Sequence, residues 1–158
     1  MKIDKIIERM LTNYPDLSQN SNWGERGLFY NPSNTFSKGA YVLTFKEKDG
    51  ENDSASNLNR GNIYRLNLKI SKKTYLSLFS YIPARPLAGN IISTGHDFTN
   101  FNQLMPHPIY GWMTWICVLN PTLTTIESME KHGLFEEAYQ AAFINIQRRL
   151  KNKRSNDA

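Results

Sequence analysis

The stretch WMTWICVL, Trp112 to Leu119, carries apolar side chains on both faces of an extended segment. A run of this kind is typical of a strand that is covered on both sides, so we predict a central strand of a sheet. The segment IYRLNLKI, Ile63 to Ile70, alternates instead and predicts a strand with one apolar face. Its apolar face carries Tyr64, Leu66, Leu68 and Ile70, and its polar face carries Arg65, Asn67 and Lys69.

Two further strands precede these in the chain. The short aromatic stretch Trp23 to Asn31 and the alternating stretch Gly39 to Lys48 are both predicted to be extended. Between the second of them and Ile63 lies KDGENDSASNLNR, Lys48 to Arg60, which is polar and has no apolar period. We interpret it as a long hairpin connection, a type of loop that often carries function.

Helical periodicity appears at both ends of the chain. The residues Ile3, Ile6, Ile7, Met10 and Leu11 predict an amphipathic first helix. Ser71 is predicted to cap a short helix, and Asn120 with Pro121 to begin a later one that ends at Gly133. A last helix is predicted from Leu134 to about Lys151. Its predicted buried face consists of Phe135, Ala138, Tyr139, Ala142, Phe143, Ile146 and Leu150.

These elements predict an α+β fold, an antiparallel sheet with an N-terminal helix and two C-terminal helices packed on one face. The 158 residues suit a single domain. We place that domain at residues 1–151 and predict that 152–158 form a basic, disordered tail. Of the net charge of +5, residues 148–158 contribute +4, which leaves +1 for the body. A body so close to neutral argues against strong binding to duplex nucleic acid.

The composition also bounds the cellular setting. No apolar run approaches the roughly 20 residues of a membrane helix, so we predict no membrane partner. The charged N-terminus is unlike a secretory signal. The single cysteine, Cys117, cannot form an internal disulfide, and we predict a buried, inert thiol and a cytoplasmic location.

The stretch STGHDFTNFNQLMPHPIYGWM, Ser93 to Met113, is the candidate binding segment. So long a segment can be fixed only by packing onto the domain, so we expect it to form one wall of a cleft and the Lys48–Arg60 hairpin the other. We predict a small anionic ligand or a protein partner there, with no cofactor and no metal. The predicted ligand-binding residues are His96, Asp97, His107, Tyr110, Trp112 and Tyr30.

Structural explanations stay open for the same residues. Asp97 can cap a turn, and His107 can stand in a rigid Pro-His-Pro approach to the buried strand. Between the two histidines, we favour His96 as a site residue and His107 as a structural one. A less favoured hypothesis is an enzyme in which His96 and Asp97 form an acid–base pair. We therefore assign no catalytic residue.

Nucleic-acid binding is a further alternative. Arg65 and Lys69 project from one strand face, and Arg148 and Arg149 belong to the basic C-terminal segment. Together they could contact phosphates. An ordinary solvated sheet face and a helix end with favourable charge explain the same residues.

Short motifs resemble a known group of proteins. Trp23-Gly24, Leu68-Lys69, Trp115 and Tyr139 occur in the order found in MmcQ/YjbR-like proteins. The Lys48–Arg60 connection and the GHDFT…LMPHPIYGWM segment are similar to a narrower bacterial family described only as a domain of unknown function. The resemblance implies a double-wing α+β fold and a conjectured nucleic-acid-binding role, with no established enzymology.

Overall fold

The computed structural model of the chain describes residues 1–22 and 24–157. Trp23, one of the residues on which the resemblance rests, lies outside them. The helices are α1 (Ile3–Asn13), α2 (Lys72–Phe79), α3 (Leu123–Lys131) and α4 (Leu134–Asp157). The strands are β1 (Leu17–Asn22), β2 (Glu25–Tyr30), β3 (Ala40–Lys46), β4 (Arg65–Lys69), β5 (Met105–Pro106) and β6 (Trp115–Leu119).

The six strands form one sheet in the order β1-β2-β3-β4-β6-β5. Every neighbouring pair is antiparallel. The predicted α+β class with an antiparallel sheet is confirmed. β6 lies between β4 and β5 and is buried from Ile116 to Leu119, as its apolar character indicates. It begins at Trp115 rather than Trp112, because Gly111–Met113 forms a 3-10 turn.

One face of the sheet carries the helices. Leu28, Leu43, Leu66 and Ile116, one from each of the four central strands, join a core with the apolar sides of α1, α3 and α4. Ser71 caps α2 by accepting a hydrogen bond from the N–H of Thr74 at 3.2 Å, as predicted. The N-terminal helix and the two C-terminal helices therefore pack on one face, as the apolar periodicity indicates.

The opposite face is covered by irregular chain. The 48–64 connection and the 92–113 crossing pack over β4 and β6 around a small second core. Arg60 ties the two segments together, because its Nη2 donates to the carbonyl of Thr99 at 2.6 Å and its guanidinium lies over the ring of Phe101. The second core consists of Leu58, Ile63, Ile92, Phe98, Met105, Cys117 and Leu119.

Several local predictions are wrong. Phe143, predicted on the buried face of the last helix, is 37 % exposed, and its ring lies tilted against that of Tyr30 with the centroids 5.7 Å apart. Asn120 does not cap α3; it has a positive φ, and its side chain bonds the backbone of Asn62 and Tyr64. Thr122 caps that helix instead.

The last helix is longer than predicted. α4 continues to Asp157, past the predicted end near Lys151. Residues 152–157, predicted to be a disordered tail, are helical and exposed here. No proline or glycine interrupts this stretch, and basic side chains suit the negative end of the helix dipole.

We expect Ile146→Ala to lower the free energy of unfolding by about 2–5 kcal/mol, since Ile146 is a fully buried residue of α4. Ile144→Ala is the matched control on the same helix. Ile144 is 55 % exposed, and its loss should change the same quantity by no more than about 0.5 kcal/mol. Urea unfolding of both variants measures the difference. Equal losses would contradict the packing of α4 described above.

Candidate functional site

Two rows of side chains cross the sheet on the face opposite the helices. In the first row Glu25 pairs with Lys46 and Lys46 with Arg65, across β2, β3 and β4. In the second row Gly27 pairs with Thr44, and Thr44 with Asn67. Because side chains alternate along a strand, both rows point to the same side. This side of the sheet is therefore polar, and the ring of Phe29 lies against its glycine.

Arg65 is the centre of this polar face. Its side chain is 1 % exposed and forms a two-pronged ion pair with Asp53 of the connection, at 2.9 and 2.5 Å. Its Nε donates to Oδ1 of Asn67 at 2.8 Å, and its Nη1 also donates to the hydroxyl of Ser56 at 3.0 Å. Nη2 lies 3.2 Å from Nε2 of His107. One guanidinium thus joins the sheet, the connection and the crossing.

The ion pair controls the charge state of Asp53. Burial alone would raise the pKa of its carboxyl, but the hydrogen bonds and the charge of Arg65 outweigh burial and hold that pKa below its ordinary value of 3.8. Asp53 is therefore a carboxylate at neutral pH. A carboxylate that accepts one bond on each oxygen from Arg65 keeps further lone pairs for other donors.

His107 is held in place through Nδ1 of its ring. Its Nδ1 accepts the backbone N–H groups of Ile109 and Tyr110, each at 3.1 Å. Nδ1 therefore carries no hydrogen, and the neutral ring carries its hydrogen on Nε2. Burial, followed by the charge of Arg65, lowers the pKa of His107 well below its ordinary value of 6.5. The imidazole is neutral at pH 7.

A cavity of about 410 Å³ opens above these rows. Its size falls in the range typical of small-molecule sites. Asp53 of the connection and His107 and Tyr110 of the crossing contribute to it. The full lining consists of Glu25, Arg26, Gly27, Phe29, Tyr41, Thr44, Lys46, Asp53, Asn67, His107, Tyr110, Met113 and Trp115.

Backbone strain lies beside this cavity. Thr114 has a φ of 65°, a left-handed conformation that a β-branched side chain rarely adopts. Such a conformation costs about 1–2 kcal/mol. Hydrogen bonds between Thr114 and Ile70 hold it, at 2.8 Å from the hydroxyl and 3.2 Å to the carbonyl. Its two neighbours in the chain, Met113 and Trp115, both line the cavity.

Two of the six predicted ligand-binding residues, His107 and Tyr110, line this cavity. His96 lies apart from it, bonded to Thr94 at 2.8 Å and packed edge-on against Phe79. Asp97 caps a turn through the N–H and hydroxyl of Thr99, and these bonds lower the pKa of its carboxyl. The proposed acid–base pair of His96 and Asp97 is not formed.

Tyr30 and Trp112, also predicted to bind ligand, do not line this cavity either. Tyr30 points to the helix side of β2, where its ring meets Tyr139 at 5.3 Å, because its neighbour Phe29 takes the cavity side. Trp112 belongs to the 3-10 turn before β6 and packs beside the second core, with Arg85 over its ring. Of the two histidines, His107 lines this cavity and His96 does not.

The predicted phosphate contacts are not brought together. Arg65 is buried, so its prediction as a surface phosphate contact is wrong. Lys69 donates from Nζ to the carbonyl of Met113 at 2.6 Å. Arg148 and Arg149 lie on α4, which packs on the other face of the sheet, and Arg149 donates to the carbonyl of Gly39 at 3.2 Å. These four residues form no common surface.

The predicted burial of Cys117 is confirmed. Cys117 is fully buried, and burial raises the pKa of its thiol to about 12. Among residues 1–22 and 24–157, no group of three or more His, Cys, Asp or Glu side chains is arranged to hold a metal ion. None of the helices in this same part of the chain is long and apolar enough to cross a membrane.

Sequence reasoning missed several residues of the cavity. The sequence places Asn67 on a polar strand face that exposure to solvent alone would explain, and it marks neither Thr44 nor Lys46 as a site residue. The overlooked signal is the amount of irregular chain. The 48–64 connection and the 92–113 crossing are both long, and each needs a surface of the sheet to pack on. Asp53 could not be paired with Arg65 from the sequence, since a loop of this length does not fix where its carboxylate lies.

We expect Asp53→Asn to lower the free energy of unfolding at pH 7 by about 3–5 kcal/mol, because it leaves the buried charge of Arg65 uncompensated. The difference from the wild type should shrink as the pH falls below 3.8, because the unfolded wild type then takes up a proton at Asp53 while the folded protein resists it. Asp49→Asn is the control, because an amide oxygen can still accept the N–H of Leu58. A constant difference across the acid range would contradict the ion pair.

Replacement of His107 should change the dependence of stability on pH between 7 and 5. The unfolded chain takes up a proton at His107 near 6.5 and the folded chain does not, so the wild type loses stability as the pH falls. In His107→Gln this loss should be smaller. Chemical unfolding at several pH values measures it, with His132→Gln as control, since His132 is exposed and directly follows α3. A steeper loss in His107→Gln would contradict the neutral imidazole.

Comparison with known proteins gives one match. Residues 1–152 match the model of a family of unknown function (DUF6194). No curated protein and no solved structure matches the chain. The expectation of a family described only as a domain of unknown function is confirmed, while the MmcQ/YjbR resemblance and the double-wing fold stay predictions. Since the match spans nearly the whole sequence, the chain belongs to the DUF6194 family of unknown function.

Proposed function

We propose that this protein is a small-molecule binding module whose ligand occupies the cavity above Gly27, Thr44 and Asn67. The observation that carries the proposal is the buried polar network at its floor. Arg65 and Asp53 are placed where apolar residues of similar volume would often give equal or greater stability. A cavity with convergent polar groups and a histidine of strongly shifted pKa is the preferred candidate for a binding site.

The walls of the cavity support a small ligand rather than a macromolecule. Phe29 and Tyr41 stand on one side with ring centroids 4.6 Å apart, and Tyr110 and Trp115 contribute further aromatic surface. Aromatic side chains present large, rigid apolar area to a ligand. The polar groups lie at the floor and not on a broad surface. A protein partner would contact the rim but would leave the buried network unused.

Nucleic acid is a weaker candidate. The predicted basic residues are divided between the two faces of the sheet or are engaged with backbone carbonyls. Phosphate binding needs several cations on one accessible surface. A cytoplasmic location, predicted from the single cysteine, is compatible with the proposed role.

Gly27→Val should abolish ligand binding while the protein remains folded. Gly27 has no positive φ, but a Cβ placed there would lie 2.9 Å from the Phe29 ring, so a valine has to push that ring, which lines the cavity, out of its place. The free energy of unfolding should change by at most about 1–3 kcal/mol. We would titrate both proteins with small carboxylates, phosphates, amines, sugars and uncharged heterocycles, and follow the backbone amides by NMR.

The control is Asn20→Val on the edge strand β1. Asn20 pairs with Gly27 in the same cross-strand row but does not line the cavity. This variant adds the same β-branched residue and should bind as the wild type does. Compounds that shift the cavity residues of the wild type and of Asn20→Val, but not those of Gly27→Val, support the proposal. A wild type that binds none of these compounds at the cavity contradicts it.

A further inference from the structure

We infer that the ligand is an uncharged planar heterocycle with a lactam edge, in which a ring N–H stands next to a carbonyl, as in a nucleobase. This inference rests on the proposed function and names the chemical class of the ligand. It follows from which hydrogen-bonding groups at the cavity floor are already satisfied, from the pairing of every charge there, and from the aromatic walls.

The charges at the cavity are already paired. Lys46 bonds Glu25 at 3.2 Å, and Arg26 bonds Asp4 at 2.5 Å. Asp53 is held by Arg65. A charged ligand would have to displace one of these partners or lie beside a like charge. An uncharged ligand can enter without breaking any of the three pairs.

The floor offers donors that have no acceptor among the described residues. Asn67 gives one Nδ2 hydrogen to Thr44 at 3.0 Å, which leaves the other free. His107 carries its hydrogen on Nε2, and the side-chain atom within hydrogen-bonding distance of that nitrogen is Nη2 of Arg65, itself a donor. A buried donor without an acceptor is costly. The carbonyl oxygen of a ligand would satisfy such donors.

The acceptor beside these donors is the carboxylate of Asp53. Arg65 fixes the arrangement, because its Nε holds the amide oxygen of Asn67 and its Nη1 and Nη2 hold the two oxygens of Asp53. The amide and the carboxylate therefore lie on neighbouring edges of one planar group. Asp53 can accept a ligand N–H while Asn67 donates to a ligand carbonyl, which is the pattern of a lactam edge.

A carboxylate ligand fits this arrangement less well. It would accept from Asn67 and His107, but its second oxygen would approach the ionised Asp53, and two carboxylates at that range repel each other. A lactam replaces this repulsion with a hydrogen bond. Its flat ring also suits the aromatic walls formed by Tyr41, Tyr110 and Trp115.

The test compares matched ligands rather than protein variants, so that a folding defect cannot imitate the result. Wild-type protein is titrated with uracil and hypoxanthine, with their N-methylated forms 1,3-dimethyluracil and 1-methylhypoxanthine, which lack the lactam N–H, and with benzoate. The side-chain amide of Asn67 and the indole N–H of Trp115 report binding by NMR. We expect uracil or hypoxanthine to shift both signals, and the matching methylated form to bind at least about tenfold more weakly.

The other outcomes separate the two proposals. Equal affinity for a lactam and its methylated form would show that Asp53 does not accept a ligand N–H, and would overturn the inference. Benzoate, or any other compound of the earlier titration, binding at the cavity where both lactams fail would overturn the ligand class but leave the binding function intact. Absence of binding by every compound in both titrations would overturn both.

Discussion

The buried ion pair of Arg65 and Asp53 is the constraint on which the covered side of the sheet depends. Arg65 stands on a central strand with its side chain almost fully buried, so its charge has to be met within the protein. Asp53 pairs with this charge, and it belongs to the connection that leaves the sheet after β3 and returns at β4. The connection is thereby fixed over the sheet, and Ser56 and His107 complete the shell of polar atoms around the guanidinium.

Once the connection is fixed, the crossing can pack against it. Leu58 of the connection and Phe98 of the crossing share the second core with Met105 of β5. Burial of such side chains contributes about 1.5–3 kcal/mol each, which offsets the entropy lost in ordering irregular chain. The polar network and the second core are therefore interdependent. The ion pair positions the connection, and the apolar cluster excludes the water that would otherwise weaken the ion pair.

The main helices and strands of the helix face could be predicted from the sequence, and the cavity face could not. Ile3, Ile6 and Ile7 recur at helical spacing, and Leu66 and Leu68 recur at strand spacing. A periodic pattern therefore predicts both the helix and the strand that pack together on this face. β1 was missed because its residues, LSQNSN, are polar and form an edge strand with little apolar signal. The cavity depends on where Asp53 and His107 meet Arg65, at sequence separations of 12 and 42 residues. No local period encodes those contacts.

Three features that reduce stability occur together at the cavity. A glycine stands within a strand at Gly27, an ion pair is buried at Arg65, and the β-branched Thr114 has a left-handed backbone. Each is disfavoured where only folding matters, since a strand prefers a side chain, a core prefers apolar groups, and a positive φ prefers glycine. The helix face, which holds most of the core, is built from ordinary apolar packing. Departures from the rules of stable folding that gather at one cavity are expected when its shape and polarity serve a ligand.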